Sequence, residues 1–72
     1  MKYVAIYHRE DNNVPLTILM DARIRQIGTA EELGLGLGKM LFIQIERFGY
    51  GFDYYSASAY RALEMEKCQD EN

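Results

Sequence analysis

Residues 40–63 read MLFIQIERFGYGFDYYSASAYRAL, and the apolar spacing changes partway along them. Leu41, Ile43 and Ile45 alternate with Phe42, Gln44 and Glu46, the period-two signature of a strand with one greasier face. Gly49 and Gly51 interrupt it. From Tyr54 onward the interval lengthens: Tyr55, Ala59, Ala62 and Leu63 fall on one side of a helix, with Arg61, Glu64 and Lys67 pointing away. Asp53, Ser56 and Ser58 are candidate N-caps, each offering an oxygen to the first-turn amides. The spacing predicts a strand at 40–48 and a helix reaching about Cys68, followed by a frayed acidic tail at 69–72 whose acids oppose the helix dipole.

The rest of the chain must supply the other half of the core. Residues 2–9 alternate Val4, Ile6 and His8 with Tyr3, Ala5 and Tyr7, so both faces are largely apolar, as in a central strand covered on each side. Glu10-Asp11-Asn12-Asn13 is a turn signal, closed by Pro15. Residues 16–27 fit two templates. As a strand, Leu16, Ile18, Met20, Ala22 and Ile24 share one face. As a helix, Leu16, Leu19, Met20, Ile24 and Ile27 form a stripe, with Asn13 as cap and Gly28 at the end. Leu19 and Ile27 break the strand pattern, and Arg23 and Ile18 break the helical one; the strand is preferred, giving a hairpin with 2–9, with the helix as its competitor. Thr29-Ala30-Glu31-Glu32 is a capping box that starts a short helix. Gly34, Gly36 and Gly38 then limit it, each costing about 1 kcal/mol against alanine in a helix interior.

The expected fold is therefore α+β: a three-stranded antiparallel sheet at 2–9, 16–27 and 40–48, with a short central helix and a longer C-terminal helix on one face. With 72 residues and neither repeat nor linker, the chain is expected to be a single domain, 1–72, with a small core. One helix on a sheet that is apolar on both sides leaves a face uncovered, which predicts a homodimer or a reserved partner surface.

Composition narrows the function classes. One cysteine, Cys68, and one histidine, His8, provide neither an intrachain disulfide nor a soft-ligand metal set. Cys68 reads as an inert thiol. No apolar run is long enough for a membrane span, and the first residues lack a signal-peptide core, so a cytoplasmic location and no membrane partner are expected. Eight basic against eleven acidic residues, a net charge of -3, argue against electrostatically driven nucleic-acid binding.

Gly34-Leu35-Gly36-Leu37-Gly38-Lys39 has the look of a phosphate loop without the spacing. A Walker loop would need glycine at Leu33 and Ser or Thr at Met40, and a dinucleotide fingerprint would need glycine at Lys39. The string reads as a hinge, and no cofactor is expected. His8 has no orienting carboxylate fixed by sequence, and the spacing of Asp21, Glu46 and Asp53 does not impose a carboxylate pair. No catalytic residues are assigned.

Gly49-Tyr50-Gly51-Phe52-Asp53-Tyr54-Tyr55 is similar to the central-strand motif of the RNA-recognition-motif family. That resemblance implies rings on an open sheet that stack unpaired bases, followed by a helix carrying Ala59 and Ala62. Phe48 stands where the family has a basic residue, and Asp53 where it has an apolar one. Tyrosine is enriched at protein interfaces, and the sequence reading assigns Tyr50, Phe52, Tyr54 and Tyr55 to partner binding. The expected function is a small non-catalytic protein-binding regulator or inhibitor, of the kind frequent among phage accessory and counter-defence proteins. Single-stranded nucleic-acid binding through the same segment is the alternative.

Overall fold

A computed structural model describes residues 1–66, and these form six strands: β1 (Lys2–His8), β2 (Thr17–Met20), β3 (Ala22–Thr29), β4 (Leu41–Arg47), β5 (Gly51–Ser56) and β6 (Tyr60–Glu66). They make two three-stranded antiparallel sheets, ordered β2-β1-β6 and β3-β4-β5, with no helix among the described residues. The α+β expectation is thus overturned. The architecture is a two-layer β-sandwich whose central strands, β1 and β4, are the two segments most clearly marked as strands by alternation.

The chain changes sheets twice. Asp21, at φ 50°, separates β2 from β3, and its carbonyl accepts from the Phe48 amide (3.0 Å). The return runs from β5 to β6 through residues 57–59, where the Ala59 amide donates to Ser56 O (3.2 Å) and the Arg9 amide to Ala59 O (3.0 Å). The predicted strand at 16–27 is therefore two strands in different sheets, and the residue at the corner shifts the alternation. Leu19 faces inward, 7% exposed, while Ile18 faces outward at 47%. The expected inward set is corrected accordingly: Leu16, Ile18 and Met20 are outside, Ala22 is buried and Ile24 half-buried.

The predicted C-terminal helix is β5, a turn and β6. Residues 60–66 have fair helix propensity, but β1 needs a hydrogen-bonding partner on each side, and β6 supplies seven paired positions, from Lys2↔Glu66 to His8↔Tyr60. Alternation reads equally well there: Tyr60, Ala62 and Glu64 against Arg61, Leu63 and Met65. The helix implied by the RNA-recognition-motif resemblance is absent for the same reason. Cys68 and the predicted tail at 69–72 lie outside the described residues.

The short helix after Thr29 is also corrected. Its capping box forms, with the Thr29 amide donating to Glu32 Oε1 (2.8 Å) and the Glu32 amide to Thr29 Oγ1 (3.1 Å). A stop signal follows at once. Gly34 is left-handed (φ 75°), its amide donates to Glu31 O, and the Leu35 amide donates to Ala30 O (2.8 Å), the bonding pattern of a helix C-terminus. Start and stop lie so close that only one turn fits between them.

The core between the sheets is Val4, Ile6, Leu19, Ala22, Ile43 and Ile45, with Ile24, Tyr55, Ala57, Tyr60 and Ala62 packed around it. Val4 sits between Leu19 and Glu64 in register, and Ile45 between Ile24 and Asp53.

Candidate functional site

Directly opposed residues in an antiparallel pair share a face, so the registers sort every outward side chain. On the sheet β3-β4-β5 the outward rows are Arg23, Glu46 and Phe52; Gln26, Gln44 and Tyr54; Gly28, Phe42 and Ser56. The register shifts between Ile24 and Gln26, and the extra residue, Arg25, joins this face.

Gln44 organises the face. It is 5% exposed although it points away from the core, because its neighbours close over it. Its Oε1 accepts from Arg25 Nη1 (3.1 Å), and its Nε2 donates to the Tyr54 hydroxyl (2.9 Å). Both ends of the amide are satisfied, as a buried polar group requires. Arg25, held at one end, lies over the Phe52 ring at 5.7 Å. Arg23 pairs with Glu46 at 3.0 Å.

Beside the face, the β4–β5 turn lifts Tyr50 into solvent, 83% exposed. Gly49 (φ 86°) makes that turn, and the Tyr50 amide donates to Arg47 O (2.9 Å). The Arg47 guanidinium lies 5.2 Å from the Tyr50 ring centre and also meets Asp53 (3.4 Å). Phe48 is exposed on the same turn.

Of the four rings assigned to partner binding, Phe52 and Tyr54 therefore share an open sheet face, and Tyr50 stands next to it. Tyr55 points the other way, against the core and edge-on to Tyr60 (5.7 Å between ring centres). Burial raises the Tyr55 pKa above the usual phenol value, the Asp53 carboxylate adds to the rise, and Arg47 opposes it. Gln44 was legible as outward by alternation, but its burial was not. Arg25 reaches this face through a bulge that left no mark in the sequence.

The remaining candidates are dispersed. Glu46 is on the outward face and Asp53 on the inward one, while Asp21 occupies the sheet corner, so the three carboxylates form no pair. His8 is exposed, tilted against Tyr60 at 5.1 Å, and lines a cleft of about 240 Å³ with Arg9, Glu10, Ser58 and Ala59. Among the described residues, no group of three His, Cys, Asp or Glu side chains could hold a metal ion. No helix among them is long and apolar enough to cross a membrane. The glycine string of residues 34–38 forms the β3–β4 loop, with Leu37 almost fully exposed. No family model, curated protein or solved structure matches the chain.

Proposed function

We propose that the chain is a non-catalytic interaction module that regulates or inhibits a partner protein by occupying one of its surfaces, through Phe52, Tyr54 and Tyr50. The observation that carries this reading is the Gln44 amide, which fixes Arg25 over the half-exposed Phe52 ring and holds Tyr54 beside it. Aromatic and arginine side chains whose positions are set before contact lose little freedom on binding, and such residues dominate interface energetics. A protein partner is favoured over nucleic acid by the local charge. Among the described residues, Arg23 on this face and Arg47 beside it are each paired with a carboxylate, which leaves Arg25 as the guanidinium here without an acidic partner.

The rings on an open sheet beside a guanidinium also fit the stacking of unpaired bases, and this is the second reading. Capture experiments with the immobilised full chain at low and at moderate salt discriminate the two. A protein captured at both salts by wild type, and weakened by about 1 to 4 kcal/mol in Phe52→Ala or Tyr50→Ala, supports the proposal. Binding of a fluorescent single-stranded oligonucleotide that collapses as salt rises supports the second reading and overturns the first.

A further inference from the structure

The two sheets have four edge strands among the described residues, and three of them are short or occupied. Glu64 of β6 accepts the Ile24 amide of β3 (2.7 Å), so those two edges face each other, and Glu32 takes the Thr29 amide (2.8 Å) farther along β3. β2 is four residues long, a length that discourages pairing at an edge. β5 is the exception. It is bonded to β4 on one side, and the register shows which of its main-chain groups point to the other. The Ala57 amide donates to Leu41 O (2.9 Å), which makes Leu41 and Ala57 a hydrogen-bonded pair at the end of the ladder. Bonded and unbonded pairs alternate, so Ile43↔Tyr55 and Ile45↔Asp53 exchange bonds, while Phe42↔Ser56, Gln44↔Tyr54 and Glu46↔Phe52 do not. The amides and carbonyls of Phe52, Tyr54 and Ser56 therefore point outward from the edge. The Ala59 amide takes Ser56 O (3.2 Å), and among the described residues nothing takes the others.

We propose that β5 is a docking edge for an extended segment of a partner protein, which adds to the three-stranded sheet β3-β4-β5 as a further strand. The edge itself selects a polypeptide. Its donors and acceptors recur every second residue, about 7 Å apart, and the complement of that pattern is another extended main chain. Phosphate oxygens only accept, so a nucleic-acid backbone laid there would leave the Phe52 and Tyr54 carbonyls facing acceptors. The same residues carry the rings of the outer face, Phe52 being 47% exposed, so an added strand also sets its own side chains beside them. Apolar or aromatic residues at alternate positions of the incoming segment fit that contact. This addition deepens, and rests on, the reading of Phe52 and Tyr54 as a partner-binding pair.

A second copy of the chain fits the edge poorly. Only residues whose main chain points outward can exchange bonds, which restricts antiparallel self-pairing to a few registers. Centred on Asp53, it opposes two carboxylates; centred on Tyr54 or Tyr55, it leaves a ring opposite Ser56 without an apolar neighbour. Centred on Phe52, it runs each strand into the other copy's turn at Tyr50. A foreign segment carries no such conflict. Its docking length is Phe52 to Ser56, because the Tyr50 turn closes one end of the edge and the turn through residues 57–59 the other.

Amide hydrogen exchange of the isotope-labelled full chain, read by NMR, tests it. The probe is a lysine-flanked synthetic peptide with the sequence of residues 41–48, which contains the strand that pairs with β5 across its other side. Main-chain pairing tolerates sequence, so a strand former of this kind should dock. The expected result is saturable slowing at Phe52, Tyr54 and Ser56, with Asp53 and Tyr55, already bonded to β4, unchanged. Ser56→Pro deletes one open donor at an edge position and keeps both rings, and it should weaken binding about tenfold. Exchange unmoved by a large excess of peptide overturns the proposal. Slowing without peptide that grows with protein concentration also overturns it, by making a second copy the occupant. Phe52→Ala separates the edge from the ring face. Binding lost in Phe52→Ala but untouched by Ser56→Pro leaves the rings as the site and overturns the edge, whereas edge protection that survives Phe52→Ala supports the edge alone. Should Ser56→Pro fail to fold, the peptide N-methylated on alternate residues, in either phase, reads the same bonds. One phase abolishing binding while the other keeps it supports edge addition, and equal binding of both overturns it.

Discussion

Glu64 Oε2 accepts a 2.7 Å hydrogen bond from the Ile24 amide, tying an edge strand of one sheet to an edge strand of the other. Ile24 is aligned with Ile45 on the β4 side, so the carboxylate meets an amide that the sheet's edge leaves open. Glu64 is also the one inward position beside Val4 that is not apolar. The acid is thus used to close the sandwich where neither sheet supplies a strand.

Removing that carboxylate should loosen the edge without unfolding the protein. Glu64→Ala is expected to cost about 1 to 2 kcal/mol, the range for a hydrogen bond to a charged group that is partly open to water. Glu64→Gln keeps an acceptor and should cost less. Urea denaturation of the three proteins checks the ranking, and equal midpoints would show the bond to be idle.

The corner at Asp21 makes Leu19 and Ile18 opposites. Leu19→Ala should cost about 2 to 4 kcal/mol by removing a buried side chain from the core, whereas Ile18→Ala should change monomer stability little. Thermal melts in dilute solution separate them. The reverse order would place the register one residue out.

Tyr55 makes stability sensitive to alkali. Its folded pKa is raised by burial, so the folded state holds the phenolic proton more tightly than the unfolded chain does. The contribution is fully present below the unfolded phenol value of about 10, and is lost as pH rises through the folded pKa. Melting temperature should therefore decline above about pH 10, and less steeply in Tyr55→Phe. Parallel curves for the two proteins across that range would contradict it.

Gly34 has open space where a Cβ would sit, so replacing it isolates the backbone cost of a left-handed residue. Gly34→Ala should destabilise by about 1 to 2 kcal/mol, and Gly34→Asn by less. Equilibrium unfolding of the two variants measures the difference.

The two central strands were readable because burial of Val4 and Ile6, and of Ile43 and Ile45, imposes strict alternation. The hairpin from β1 to β2 was readable from its turn residues, and the Asp11 carboxylate does accept from the Asn13 amide (3.1 Å). What failed was every segment whose conformation is set by a distant partner. Residues 60–66 satisfy a helical spacing and a strand alternation alike, and only the open edge of β1 decides between them. The capping box of Thr29 and Glu32 forms its hydrogen bonds, but the helix it led the sequence to predict does not follow, because Gly34 ends the turn at once. In the candidate site, Phe52 and Tyr54 could be placed on one side from their spacing. Tyr55 could not be separated from them until β5 was fixed as a strand against β4.

The strand alternation of β5 and β6 sends Phe52 and Tyr54 to one outer face and Leu63 and Met65 to the other. Backbone nuclear Overhauser effects on the labelled full chain test this most directly. Cross-strand contacts linking Ala5 with Leu63, and Ile43 with Tyr55, are the predicted result. Sequential amide–amide contacts running through residues 54–66, with no link to β1, would contradict it.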